Sequence, residues 1–245
     1  MSRSSSGVPA DDLVFSYFLH VDTWVSKSKL DRAISDAVAA VQQESYRQHD
    51  SIWRARTEVG DLLFALVTQG ALDAVTTEAQ ATRISLTANL VQSSSVVKDL
   101  ISSGFYWSAA AVLRQCMETL ARSIEIRSGR DTARTKSPNV AVLPYRMSKN
   151  YGRLSELVHT SGGESLADFA QGSAAPEAAT VIPRFREPWA RGLLCLHVAQ
   201  LVTLAREIDL LHRELYPGRQ LIDASAALTP IAQALVDAGF WTADR

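Results

Sequence analysis

Leu194, Val198, Leu201, Ala205, Ile208, Leu211 and Leu215 recur at spacings of three and four. Only a helix of 3.6 residues per turn gathers such positions into one stripe. The spacing predicts a long amphipathic helix over about 187–216, ended by Pro217-Gly218. Few stretches anywhere in the chain alternate with period two, so no credible sheet can be assembled. With 245 residues, 47% of them hydrophobic, the chain is long enough to bury a substantial core. The expected fold class is therefore all-α, a helical bundle in one large domain or one domain with an added helical piece.

The same periodicity marks the other elements. Leu86, Leu90, Val97 and Leu100 share one face of a helix from about 72 to 102. Ala109, Leu113, Cys116, Leu120 and Ile124 share one face of a second, about 106–128. Ser103-Gly104 lies between them, and so short a connection favours an antiparallel hairpin. Gly129 stops the second arm as a C-terminal glycine does. A loop over 129–147 carries Pro138 and Pro144. A short helix over about 148–160 follows, then a Gly/Ala/Pro-rich loop over 161–186.

Before the hairpin, residues 1–10 read as a Ser/Gly/Pro tail. Asp11 or Asp12 caps a first helix with Leu13, Phe15, Phe18, Leu19 and Trp24. A second helical region starts near Lys29, with Ile34, Val38 and Val41 as its stripe, and resumes at Ile52-Trp53. The pattern does not tell one bent helix from two. Thr229-Pro230 reads as the N-cap and first-turn pair of a last helix ending at Gly239. The expected organisation is a tail (1–10), a helical extension (11–74), a central bundle (75–216) and a C-terminal helix packed on it (217–245).

A net charge of −1 excludes a chain whose whole surface attracts nucleic acid; any such affinity needs a local patch. One stretch qualifies. From Arg127 to Arg153 stand seven Lys/Arg residues against the single acid Asp131: Arg127, Arg130, Arg134, Lys136, Arg146, Lys149 and Arg153. A solvated loop would carry such charges too. Tyr145 and Tyr151 are the aromatic side chains interleaved with them. The cysteines, Cys116 and Cys195, lack metal-ligand spacing and read as buried thiols rather than a disulfide or zinc site. No metalloprotease, phosphate-loop or nucleophile-elbow motif is present. No apolar run approaches the roughly 18 residues of a membrane span, and MSRSSSGVPA has no apolar core of a signal peptide. The expectation is a soluble cytoplasmic protein with no cofactor and no membrane.

Within the helices, Arg114, Glu118 and Arg122 are spaced by four, with Glu125 on the next turn. This is either a solvated salt-bridge face or a polar site between helices. In YGRLSELVH, Tyr151, Ser155 and His159 form an i, i+4 row, while Arg153 lies about 120° from His159 around the helix. His197 reads as a core histidine or one that faces His159. His212 has Asp209 and Glu214 nearby. His20 and His49 stand in no constellation.

Three pieces together resemble the HEPN superfamily of helical-bundle proteins: the hairpin with AAAVLRQCMETLAR on its second arm, the short helix with YGRLSELVH, and the long helix after it. The segment RLSELVH is similar to that superfamily's Arg, four to six residues, His pattern. The resemblance spans roughly residues 75–216. It implies a metal-independent endoribonuclease in a defence or toxin-type role. Such a protein acts as a homodimer with the motif helices of both copies lining one cleft, and with an antitoxin or other protein as a further partner. It implies Arg153 and His159 as the catalytic pair, the histidine moving a proton and the arginine stabilising phosphate charge. Arg114, Glu118, Tyr151 and Ser155 then form a supporting polar site. Arg127, Arg130, Arg134, Lys136, Arg146 and Lys149 hold RNA.

Two other readings use the same residues. In one, Arg114, Glu118 and His159 lock helices together in a non-catalytic dimerisation or partner-binding module. In the other, the polar pocket senses a small ligand. The nuclease needs Arg153 and His159 exposed in a cleft with basic walls; the lock needs them buried and paired.

Overall fold

The computed structural model describes residues 28–70, 76–130, 136–158 and 182–241. The expected N-terminal tail, the helix from Asp11 or Asp12, Arg134, His159 and most of the 161–186 loop lie outside them. The described residues form seven α-helices and one 3-10 turn, with no strand among them. The expected all-α class is what is found. The helices are α1 (Lys29–Gln48), α2 (Asp50–Thr68), α3 (Glu78–Ser102), α4 (Tyr106–Arg127), α5 (Met147–Val158), α6 (Glu187–Leu215) and α7 (Ala224–Asp237). The 3-10 turn is Val140–Val142, between α4 and α5.

Local chemistry sets the helix ends. Ser28 and Asp31 form a reciprocal capping box at α1, and Thr77 and Gln80 form one at α3. The question of one bent helix or two is resolved at His49, whose φ of −122° and ψ of 30° break the chain between α1 and α2. The hairpin turns where the sequence predicts. Gly104 has φ of +80°, and a Cβ there would meet Val41 Cγ1 at 3.1 Å. Both the left-handed backbone and the close packing therefore call for glycine.

The last helix corrects an expectation. It starts at Ala224, not at Thr229-Pro230, and Pro230 lies inside it. The Asp223 carboxylate accepts from the backbone N–H groups of Ser225 and Ala226 at 3.0 and 3.2 Å. Leu228, Ile231 and Leu235 are buried. An interior proline costs a helix about 3 kcal/mol, and this cap and apolar burial offset it.

Helix α6 is the axis of the molecule, packed against α2, α3, α4 and α7. The spacing predicts one apolar stripe, but every residue from Leu193 to Ala205 is buried. The polar members of that run are satisfied internally. Gln200 Nε2 donates to the Leu113 carbonyl at 3.0 Å, and Thr203 Oγ1 to the Ala199 carbonyl at 2.9 Å. The same core takes in Val59, Leu63 and Leu66 of α2, so that helix before the hairpin shares it. Cys116 and Cys195 are free, buried thiols, each pushed up to about 11 by desolvation. Among the described residues no helix is long and apolar enough to cross a membrane.

Candidate functional site

Helix α5 carries most of YGRLSELVH. It is 12 residues long, too short to be stable alone. Leu154 and Leu157 anchor it in the core. Residues two apart on a helix point about 200° away from each other. Tyr151 and Arg153 therefore cannot serve one site on the same face, and the structure separates them.

Tyr151 turns toward α4. Its hydroxyl donates to Glu118 Oε1 at 2.6 Å and accepts from Arg114 Nη2 at 3.3 Å. Arg114 also reaches Glu118 at 3.3 Å, and its guanidinium lies 5.3 Å from the Tyr151 ring centroid. The hydrogen bond to Tyr151 is the main cause that raises the Arg114 pKa. Three of the four expected supporting residues thus form a half-buried triad that ties α4 to α5. The fourth, Ser155, has a buried Oγ with no hydrogen-bond partner among the described residues.

Arg153 is exposed on the opposite side, where it lines a groove of about 900 Å³ together with Arg146 and Lys149. These three cations face one lining acid, Glu156. The other wall comes from distant parts of the chain: Trp189 and Gly192 near the start of α6, and Phe240 and Trp241 after α7. Arg191 of α6 donates to the Ala238 carbonyl and holds that last turn in place. At the groove end Tyr145 stacks on Trp241, with ring centroids 4.3 Å apart, and Arg206 sits 5.2 Å from the Tyr145 centroid. Tyr145 Oη and Trp241 Nε1 are buried, with no hydrogen-bond partner among the described residues.

The turn that delivers Tyr145 and Arg146 is strained. Their φ angles are +58° and +55°, and the Met147 N–H donates to the Pro144 carbonyl at 3.2 Å. Two successive positive φ values mark a type I′ turn, which glycine or asparagine ordinarily supplies. For other residues the left-handed conformation costs about 1–2 kcal/mol each. Such strain concentrates at functional sites.

The remaining expected RNA-binding residues lie elsewhere. Arg127 makes a two-pronged ion pair with the buried Glu207, at 2.9 and 3.0 Å. Arg130 is exposed just beyond α4, and Lys136 is exposed at the start of the next described segment. The Lys136 carbonyl accepts from Arg122. Arg122 also pairs with Glu125 at 3.2 Å, whose carboxylate accepts the Asn139 N–H at 2.8 Å. That group fastens the loop to α4. His197 is a core histidine with Nε2 unpartnered among the described residues. His212 Nδ1 lies 3.1 Å from Gln69 Nε2. Among the described residues no cluster of His, Cys, Asp and Glu could hold a metal ion.

Sequence reading missed the aromatic wall. Its signal was present, though weak: Trp189 follows Pro188 at a helix start, and Phe240-Trp241 follow a C-terminal glycine. Aromatic residues at element ends pack over the neighbouring element's edge. Comparison with protein-family models, curated proteins and solved structures finds no match to this chain. What fold and groove define is an all-α bundle with one wall of a surface groove cationic and the other aromatic.

Proposed function

We propose that this protein is a HEPN-like RNA-directed protein, a metal-independent endoribonuclease in a defence or toxin-type role, with Arg153 and His159 as its catalytic pair. The observation that carries the reading is Arg153 exposed in a groove beside Arg146 and Lys149. A long cationic side chain in a basic cleft suits contact with a phosphodiester. In this reading Arg153 stabilises charge that develops on the phosphate, and His159 transfers the proton of the ribose 2′-hydroxyl or of the leaving group. Two copies pair so that their motif helices line one cleft.

The test uses purified protein and mixed RNA in EDTA. Arg153→Ala and His159→Ala each lower cleavage by about 10²–10⁴-fold, with melting temperatures unchanged. Wild-type protein that sediments as a monomer and leaves RNA intact would count against the reading.

A second reading has its own observation. The Arg114–Tyr151–Glu118 triad satisfies its own polar groups across two helices of one copy, which suits the polar lock of a non-catalytic dimerisation or partner-binding module, although Arg153, which that lock needs buried, is exposed. Under it, Tyr151→Phe lowers the melting temperature and no RNA cleavage exists to be lost.

A further inference from the structure

The groove wall opposite the cations has no part in the chemistry just proposed. Trp189, Phe240 and Trp241 line it, and Tyr145 closes its end. These four aromatic residues are half-buried and pack against the core with part of their surface; the rest gives the groove of about 900 Å³ an aromatic face opposite its cations. A ligand that satisfies both walls at once must bring a flat π-face and negative charge. Exposed backbone at Gly192, where an added Cβ would meet nothing within 4 Å, leaves room for it between the walls.

We infer that this groove is a base-stacking subsite for single-stranded nucleic acid: an unpaired base lodges against Trp189 and Phe240 while its flanking phosphates lie along Arg146, Lys149 and Arg153. The inference rests on the RNA-directed reading and adds the substrate class. Every base has a π-face, so stacking on aromatic side chains tolerates any sequence, but a duplex hides those faces inside its own stack. The row of cations settles between a strand and a lone nucleotide. Six residues lie between Arg146, just before α5, and Arg153 within it, and a helical rise of about 1.5 Å per residue over that stretch makes the row about 10 Å long. That length outruns one phosphate group and suits successive phosphates of a strand. The two walls also divide the work: charge supplies affinity that salt weakens, and stacking supplies affinity that salt leaves alone.

The experiment measures binding of a fluorescent 2′-O-methyl oligonucleotide of about ten nucleotides to the full chain. Without a free 2′-hydroxyl it cannot be cut by the proposed chemistry, so binding is read independently of cleavage. The single strand binds more tightly than the same sequence in duplex, and a mononucleotide competes weakly. Trp189→Leu keeps apolar bulk but removes the π-face, and weakens binding about five- to a hundredfold. Trp189→Phe retains most of the affinity, and both variants melt close to wild type, which separates a lost stacking face from lost packing against the core. Lys149→Ala lowers the slope of log affinity against log salt by about 0.7, one phosphate contact on a single strand. Should Trp189→Leu fail to fold, Phe240→Leu makes the same test from the other element. Equal affinity for duplex and single strand would overturn the inference. So would a mononucleotide that competes as well as the strand, or leucine variants that bind like wild type. Tight, Trp189-dependent binding without cleavage of unmodified RNA sinks the nuclease and leaves the subsite standing; cleavage with no such binding does the reverse.

Discussion

Gly192 offers the sharpest separation of stability from function. It is exposed, sits well inside α6 and lines the groove. Glycine in a helix interior is worse than alanine by about 0.8–1.0 kcal/mol, because the unfolded chain has more freedom to lose. A Cβ built at Gly192 meets nothing within 4 Å, so no steric cost subtracts from that gain. Gly192→Ala therefore stabilises the protein by nearly the full amount. For a chain of this size it raises the melting temperature by about 2–4 °C. Gly192→Leu gains similar helix propensity but projects a branched side chain into the groove. It melts at or above the wild-type temperature and binds the oligonucleotide at least about tenfold more weakly, or roughly 1.4 kcal/mol. Calorimetry and fluorescence anisotropy on the same preparations read both effects. A lower melting temperature for Gly192→Ala would refute the packing argument. Undiminished binding by Gly192→Leu would refute the claim that the groove between α5 and α6 is where the strand lies.

Two more predictions follow from strain and from burial. Arg146 has φ of +55°, so Arg146→Gly should be more stable to urea than Arg146→Ala by on the order of 1 kcal/mol, while both, lacking the guanidinium, bind RNA equally weakly; identical stabilities would show that the turn stores no strain. His197 is held down to about 3 by burial first and Arg56 second, against an opposing backbone hydrogen bond with Ser94, and burial is also the main cause that lowers His49 and His212. Their folded pKa values lie below the unfolded value of about 6.5, so the unfolded chain binds more protons below that pH. Their contribution is intact above it and is lost as pH falls, for His197 by up to about 1.4 kcal/mol per unit down toward its folded value. Melts at about pH 7.5 and about pH 5 should show a larger loss for wild type than for His197→Gln, and equal losses would contradict this.

The sequence made some elements plain and hid others for physical reasons. The hairpin was legible because it is local: apolar stripes on both arms and one glycine that needs a left-handed backbone. Helix α6 was legible as a helix but not as a buried one. Gln200, Thr203 and Glu207 look like a solvent face until their partners, the Leu113 and Ala199 carbonyls and Arg127, arrive from the fold. The start of α7 was misread because Pro230 has the chemistry of a first turn, and the burial of Leu228 and Ile231 around it is a tertiary fact. The groove divides the same way. Arg146, Lys149 and Arg153 are neighbours in the chain, so their charge could be read from it. Trp189 and Trp241 come from segments far along the chain, and nothing in local pattern places them opposite those cations.

The two functional readings do not compete for the same atoms. Had Arg153 shared a face with Tyr151, a single buried lock could have claimed both, and the basic residues nearby would have been loop decoration. Instead α5 uses its sides differently. Leu154 and Leu157 bury, Tyr151 spends its hydroxyl on Arg114 and Glu118, and Arg153 stands in the groove. A 12-residue helix needs such tertiary anchors to hold a fixed orientation. The triad is therefore sufficient reason for α5 to be where it is. It gives no reason for a strained turn at Tyr145-Arg146, for three cations along one side of a groove, or for the aromatic residues facing them. The aromatic residues pack against the core as well as facing the groove, so burial accounts for part of them; the strained turn and the row of three cations gain nothing from that packing, and a ligand that meets both walls is the account we propose for them.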